Sequence, residues 1–337
     1  MSANIDRPLE LAILGCGAVT EIFHLPAARN SRKVRVKVLV DKDLQRARSL
    51  ALKFGVPSVT DDWTSLDKHV EAALVALPPN LHAPVTVELL GRGIHTLVEK
   101  PMALSVGECD AMIAQARKSG AVLAVGLMKR FDPAFQWTKR SLEEGLIGEA
   151  TAFDFREGRI YDWPLKTGFR FEKGSAGGGV LIDTGSHVAD AVLWWLGEWR
   201  SLEYYDDAEG GLEANCELHL ELRGGATGIV ELSRTRNLRN SCIIRGTHGV
   251  LEVDTTLNSG IRLRLDDHDV ALDGHTVRAG TGKEGLLHAF VRQLDDFADA
   301  VLNDRRPWVP GEEGRRSLEL IEACYASRKP LALPWNT

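Results

Sequence analysis

Asp183, His187 and Asp190 stand four and three residues apart in the stretch Gly177-Gly178-Gly179-Val180-Leu181-Ile182-Asp183-Thr184-Gly185-Ser186-His187-Val188-Ala189-Asp190, which runs on to Leu196 and stops at Gly197. Three glycines followed by an apolar periodicity read as a turn opening into one helix. The spacing then puts all three polar groups on one side of it. A carboxylate beside an imidazole favours the imidazolium and orients the ring, which suits His187 to take and return a proton near neutral pH. The same side chains could instead satisfy one another in a helix-packing face. They could also ligate a metal, although no further His or Glu motif accompanies them.

Such groups need elements to position them, and from Leu9 to about Val125 short apolar runs alternate with helical patterns. Strands are expected at Leu9 to Leu14, Val34 to Val40, near Ser58, Ala72 to Leu77, Ile94 to Val98 and Val122 to Val125. Helices are expected at Val19 to Arg29, Leu44 to Phe54, His82 to Gly91 and Val106 to Lys118. This alternation predicts an α/β doubly wound parallel sheet, whose ligands bind beyond the carboxyl ends of the strands.

Three strand ends carry chemistry. At the first, Gly15-Cys16-Gly17-Ala18-Val19-Thr20 offers a tight turn and close approach of a pyrophosphate to the amides of a helix beginning near Ala18, with Thr20 where a third glycine is usual. Asp41 ends the second strand, where a carboxylate accepts hydrogen bonds from both ribose hydroxyls and repels a 2′-phosphate. NAD is therefore expected over NADP, even with Lys42 alongside. After the fourth strand, Leu77-Pro78-Pro79-Asn80-Leu81-His82 combines a stiff turn with Asn80 as a possible helix cap. After the fifth, Glu99-Lys100-Pro101 sets a lysine that can donate a charged hydrogen bond to a substrate hydroxyl or oxyanion.

The combination resembles the glucose-fructose oxidoreductase / inositol dehydrogenase / MocA (Gfo/Idh/MocA) family over nearly the whole chain. The match rests on Gly15-Cys16-Gly17, Asp41 with Arg46-Ala47 following, Pro79-Asn80-Leu81-His82, Glu99-Lys100-Pro101, Arg130-Phe131-Asp132-Pro133 and the Gly178 to Asp190 stretch. The resemblance implies a Rossmann domain over residues 1–125 that binds NAD(P). It implies an α+β domain over 126–337 with a large open, mostly antiparallel sheet that binds substrate and associates into a homodimer or homotetramer. Lys100, Asp183 and His187 become the catalytic set. Gly15, Gly17, Ala18, Val19, Asp41, Leu77, Pro78, Asn80, His82, Glu99 and Lys100 become the cofactor-binding residues, and no metal is expected.

The implied activity is hydride transfer between a secondary alcohol of a sugar, sugar derivative or cyclitol and nicotinamide C4. His187 serves as general acid/base, Lys100 hydrogen-bonds the same oxygen, and Asp183 orients the imidazole or holds a neighbouring hydroxyl. The two halves are expected to bring the Lys100 amine and the His187 ring to one alcohol oxygen. The alternatives are a redox-neutral sugar epimerase or eliminase that retains NAD, and a non-catalytic NAD-binding regulator.

In the second half, strand patterns occur at Thr151 to Arg156, Cys216 to Leu222, Thr227 to Ser233, Ser241 to Arg245, Val250 to Val253 and Ile261 to Leu265. Turns are expected at Gly224-Gly225, Thr247-His248-Gly249 and Asn258-Ser259-Gly260, and helices at Leu286 to Leu302 and Gly314 to Ser327. The irregular run Glu157 to Gly174 holds Arg159, Tyr161, Trp163, Lys166 and Arg170. Aromatic faces stack on sugar rings and guanidinium forks hold carboxylate or phosphate, so Arg130, Tyr161, Trp163 and Arg170 are candidate contacts to a sugar, sugar-acid, nucleotide-sugar or cyclitol substrate. Arg234, Arg236 and Arg239 form a further basic cluster, read as a polar sheet face or subunit contact.

Composition agrees with a two-domain globular protein: 337 residues, 44% apolar and 26% charged. A net charge of −6 with mixed signs gives no electrostatic footing on nucleic acid or an anionic membrane. The five cysteines are odd in number and scattered, as in a reduced cytoplasmic protein.

Overall fold

In the computed structural model, which describes residues 7–66, 70–164, 166–256, 260–266 and 283–332, the apolar runs of the first half become parallel strands. These are β1 (Leu9–Leu14), β2 (Val34–Val40), β3 (Ser58–Thr60), β4 (Ala72–Val75), β5 (His95–Glu99) and β6 (Leu123–Gly126). Their order is β3-β2-β1-β4-β5-β6, with every pair parallel. The chain winds outward from β1 to β3, then returns to lay β4 on the other side of β1. The seam between β1 and β4 is the point where a doubly wound sheet opens a crevice for ligands.

The flanking helices start and stop where their ends are chemically satisfied. Asp43 accepts the Arg46 amide ahead of the helix Leu44–Phe54, and Gly55 ends it at φ 73°. Ser105 accepts the Glu108 amide ahead of Val106–Ser119, and Gly120 ends that helix at φ 73°.

The second half forms an eight-stranded sheet from β7 (Ala150–Gly158), β8 (Trp199–Asp206), β9 (Asn215–Leu222), β10 (Thr227–Ser233), β11 (Ser241–Gly246), β12 (Gly249–Asp254), β13 (Ile261–Leu265) and β14 (Arg328–Pro330). Its order is β13-β12-β11-β7-β10-β9-β8-β14. Only β7 with β10 and β8 with β14 pair in parallel. Along β9, Leu218, Leu220 and Leu222 are buried while Glu217, His219 and Glu221 are half-exposed. Leu218, Leu220 and Leu232 close an apolar layer against Leu181, Val188 and Val192 of the helical stretch above them.

The strands β8 and β14 and the helix Pro133–Glu143 are absent from the sequence reading, as are the single-turn helix Lys173–Ala176 and the 3₁₀ turns Trp63–Ser65, Met128–Phe131 and Phe169–Phe171. The helix Pro133–Glu143 begins with Asp132 accepting the amides of Ala134 and Phe135, with Pro133 in its first turn. In β8, charged and apolar residues do not alternate cleanly, and β14 has only three residues, ending in a proline suited to an edge. Of the expected turn at Asn258-Ser259-Gly260, Asn258 and Ser259 lie outside the described residues.

The chain divides into two compact units. One contains Met1–Met128, Pro164–Ala176 and Leu287–Arg315; the other contains Lys129–Trp163, Gly177–Leu286 and Arg316–Thr337. A single boundary at 125 would not describe this, because two later segments return to the first unit. Phe290 stacks on Phe23 with ring centroids 4.9 Å apart, Lys33 pairs with Asp299 at 2.6 Å, and Lys166 pairs with Glu21 at 3.2 Å. Among the described residues no helix is long and apolar enough to cross a membrane.

Gly228 of β10 sits opposite Phe153 of β7, and a Cβ on it would lie 2.4 Å from that buried ring. Gly228→Ala therefore overpacks the sheet and should destabilise it by about 1–3 kcal/mol. A urea midpoint equal to wild type would show that the ring moves aside freely.

Candidate active site

In the first unit the residues singled out by the sequence lie at the carboxyl ends of β1, β2, β4 and β5. Gly15 follows β1 at φ +98°, and a Cβ there would lie 2.3 Å from the Ala76 carbonyl oxygen, so glycine is required twice over. At Gly17 an added Cβ meets nothing within 4 Å. The backbone there faces open space, as it must for a pyrophosphate to approach it closely. Thr20, in place of the third glycine, donates its hydroxyl to the Gly15 carbonyl at 2.6 Å and is fully buried. It ties the following helix to the turn.

That helix is not the uninterrupted one expected. It widens to a π turn over Thr20–His24 before running as an α-helix through Leu25–Asn30. Pro26 explains the widening, since it has no amide to offer the Ile22 carbonyl and its ring crowds that oxygen. At the end of the wide turn the buried His24 bonds through Nε2 to Glu99 Oε1 at 2.8 Å, with Phe290 edge-on to its ring.

Glu99, expected to contact cofactor, is thus engaged beneath the Lys100 turn. Its Oε2 accepts the Lys100 amide at 3.1 Å, and Gly126 packs against it where a Cβ would come within 3.1 Å. Burial works against ionisation of Glu99, but the His24 hydrogen bond and charge outweigh it and hold the carboxyl below the usual range. The Lys100-Pro101 peptide is cis, and the Lys100 side chain is partly exposed.

His82, also expected at the cofactor, is only 1% exposed. Its Nδ1 faces the Pro101 carbonyl and its Nε2 the Leu77 carbonyl, each at 2.8 Å, so the ring bridges the loops after β4 and β5. Burial draws its pKa below the ordinary histidine value against the pull of those two acceptors. Leu77 and Pro78 are half-buried at the same strand end. Asn80 does not cap the helix His82–Gly91, which has no side-chain N-cap. It lies exposed within the 3₁₀ turn Pro79–Leu81.

Asp41 is more committed than the sequence suggests. Oδ2 accepts the Cys16 amide at 2.7 Å, while Oδ1 accepts the Asp43 amide and Arg46 Nη2, both at 2.8 Å. The carboxylate therefore closes the glycine turn from the second strand, and Oδ2 keeps one acceptor position. Lys42 is exposed, so the cation beside Asp41 is Arg46. The Cys16 thiol is pushed up to about 12 by burial and by Asp41, and stays protonated at neutral pH.

In the second unit the helical stretch is two pieces, Val180–Asp183 and Gly185–Leu196, meeting at Thr184 with helical dihedrals of −71° and −42°. The glycines before it allow close approach. A Cβ on Gly178 would lie 2.0 Å from the Tyr325 hydroxyl, and one on Gly179 would lie 1.9 Å from the Glu213 carbonyl oxygen. Glu213 Oε1 accepts the amides of Gly179 and Leu181 at 2.9 and 3.0 Å and the Tyr325 hydroxyl at 2.7 Å; its carbonyl accepts the Val180 amide at 2.9 Å. Burial first, then the charge of Glu213, pushes the Tyr325 hydroxyl far above its usual range and keeps it a donor.

Asp183, Thr184 and His187 are half-exposed where their neighbours from Val180 to Leu193 are buried, which leaves one accessible window on this stretch. Asp183 Oδ2 accepts Arg234 Nη2 at 2.7 Å, and the guanidinium carbon of Arg234 stands 5.2 Å from the Tyr161 ring centroid. Asp190 does not share the window. It is 3% exposed and takes Arg130 through Nε and Nη2 at 2.6–3.1 Å, with Ser317 Oγ at 3.5 Å.

Arg130, expected to meet substrate, is therefore engaged internally; it is 4% exposed and lies 5.1 Å from the Trp194 ring. Tyr161 and Trp163 are half-buried in the second unit, whereas Arg170 belongs to the first, over Phe169. Among the described residues no group of three or more His, Cys, Asp and Glu side chains could hold a metal ion. The sequence reading missed Glu213, Tyr325 and His24, and took Arg234 for part of a polar sheet face or subunit contact. Only the glycine run hinted at a close neighbour.

Comparison with known proteins identifies the family and the fold. A family model described as "Oxidoreductase family, NAD-binding Rossmann fold" matches residues 9–127, and one for the GFO/IDH/MocA C-terminal domain matches 135–252. The chain is 32% identical to D-glucoside 3-dehydrogenase of Escherichia coli over 97% of each chain. It is 25% identical to scyllo-inositol 2-dehydrogenase (NAD(+)) of Bacillus subtilis, over 94% of this chain and 93% of that one. In fold it is similar to aldose-aldose oxidoreductase from Caulobacter crescentus, with a TM-score of 0.85 at 24% identity, covering 95% of this chain and 97% of that one.

Arg130→Met would leave the buried Asp190 carboxylate without its guanidinium and should cost about 3–5 kcal/mol of stability. Chemical denaturation measures this. Were Arg130 a substrate contact instead, the variant would lose activity with its denaturation midpoint unchanged.

Proposed function

Since this chain belongs to the GFO/IDH/MocA oxidoreductase family, we propose that it is an NAD-dependent dehydrogenase oxidising a secondary hydroxyl of an uncharged sugar or cyclitol. The observation that carries the reading is that Asp183 and His187, with Thr184, are the accessible polar residues on a stretch otherwise buried from Val180 to Leu193. Bound NAD⁺ supplies the hydride acceptor at nicotinamide C4, and the turn at Gly15 and Gly17, with Asp41 beneath it, fits the phosphates and ribose of such a cofactor.

The chain's own part is to handle the proton and the charge. His187 takes the hydroxyl proton as the carbonyl forms, because an alcohol carbon releases hydride only as its oxygen loses that proton. Lys100 can donate a charged hydrogen bond to a substrate oxygen and stabilise alkoxide character there. Asp183 accepts a hydrogen bond from a neighbouring hydroxyl. In the reducing direction His187 returns the proton.

Charge balance in the second unit favours an uncharged substrate. Arg234 pairs with Asp183, Lys129 with Glu157, Arg130 with Asp190 and Arg159 with Asp162. Each of these four cations already faces a carboxylate, so a uronate or phosphate meeting one would have to displace its partner. The relative acting on D-glucosides supports the same class. We further propose that copies associate through the sheet face bearing Glu217, His219, Ile229 and Glu231. Light scattering should then give a multiple of the chain mass, and a monomer would refute it.

A panel of neutral glycosides, inositols, uronates and nucleotide sugars with NAD⁺ and NADP⁺, read by reduced-nicotinamide fluorescence, should give turnover with NAD⁺ and a neutral member. His187→Ala should lower kcat by about 10² to 10⁴ and leave the Kd for NADH unchanged. Lys100→Ala should lose turnover likewise. Wild-type rates in either variant would remove that residue from the reaction.

A further inference from the structure

Arg234 is the first residue after β10, and its backbone is held on both sides. Its amide donates to the Ala214 carbonyl at 2.8 Å, and its carbonyl accepts the Tyr161 amide at 2.9 Å. The side chain is correspondingly fixed, with Nη2 on Asp183 at 2.7 Å and the guanidinium plane over the Tyr161 ring. Both side chains are partly buried, at 15% exposure for Arg234 and 22% for Asp183.

This is a costly arrangement. The Arg234 Nε is buried without a hydrogen-bond partner among the described residues. A buried donor left unsatisfied works against stability. Arg239, five residues on, meets Asp154 and Ser241 in a conventional surface network, so the sequence cluster does not explain Arg234. What distinguishes Arg234 is its carboxylate, which belongs to the accessible window beside His187.

We propose that Arg234 is a positioning residue of the site. Its ion pair with Asp183, braced on Tyr161, fixes that carboxylate as a hydrogen-bond acceptor for a substrate hydroxyl and makes its surroundings electrically neutral. The preference for uncharged polyhydroxy substrates follows from this pair. A free carboxylate would favour cationic amino sugars, and a free guanidinium would favour uronates. The inference rests on the assignment of Asp183 and His187 to the site.

Arg234→Ala should lower kcat on a neutral sugar by about 10²-fold, the scale set by misplacing a group by an ångström, with the Kd for NADH unchanged. Added methylguanidinium should restore part of that loss. Arg234→Lys keeps the charge but loses the planar fork, and should fall between Ala and wild type. Wild-type kcat in Arg234→Lys and Arg234→Ala, or a loss that methylguanidinium does not relieve in a folded Ala variant, overturns the proposal. Should Ala not fold, Lys alone decides.

A turnover-free arm separates this inference from the assignment it rests on. In ¹⁵N spectra of the ligand-free protein the Arg234 side-chain resonances should shift in Asp183→Asn. Unchanged resonances would mean that no pair exists and would overturn the proposal. Shifted resonances together with a wild-type protein that oxidises no sugar would support the pair and refute the dehydrogenase reading.

Discussion

A buried carboxylate holding backbone amides is the interaction on which the placement of the second unit's helical stretch depends. Glu213 takes the amides of Gly179 and Leu181 and the Tyr325 hydroxyl on one oxygen, and its carbonyl takes the Val180 amide. Its Oε2 is buried without a hydrogen-bond partner among the described residues, so the bonding of this 1%-exposed residue is concentrated on Oε1 and on its backbone carbonyl. Three consecutive amides therefore have one place to be, and the helical stretch starting at Val180 inherits its direction from them. The glycines at 178 and 179 are the steric counterpart, because any side chain there would drive Tyr325 and Glu213 away from the backbone they hold.

The first unit repeats the device with different residues. Glu99 accepts His24 on one oxygen and the Lys100 amide on the other, while the His82 ring spans the Leu77 and Pro101 carbonyls. Asp41 does the same for the glycine turn through the Cys16 amide. Loops at strand ends have no sheet partners for their backbone groups, and buried side chains supply those partners. Precision at Lys100 and at Gly15 thus comes from groups that need not touch a ligand.

Polar residues divide by burial between structure and chemistry. Asp190 and Arg130, almost fully buried, lock the helix Gly185–Leu196 to the segment entering the second unit. Asp183 and His187, a turn away, remain accessible. Accessibility separates Asp183 and His187 from Asp190 within one short stretch of chain.

The sequence by itself determined the alternation of strands and helices, the glycine turn, and the identities of Lys100, Asp183 and His187 as candidates, because periodicity and turn chemistry are local. Strands β1, β2, β10 and β13 and the helices Leu44–Phe54 and His82–Gly91 begin and end where their patterns do. Only the tertiary structure decided the partners. Arg130 and Asp190 are 60 residues apart, Asp183 and Arg234 are 51 apart, and Glu99 and His24 are 75 apart. Whether a charged side chain is spent on the fold or left for a substrate depends on which opposite charge the topology brings beside it, and no pattern within a single element carries that information.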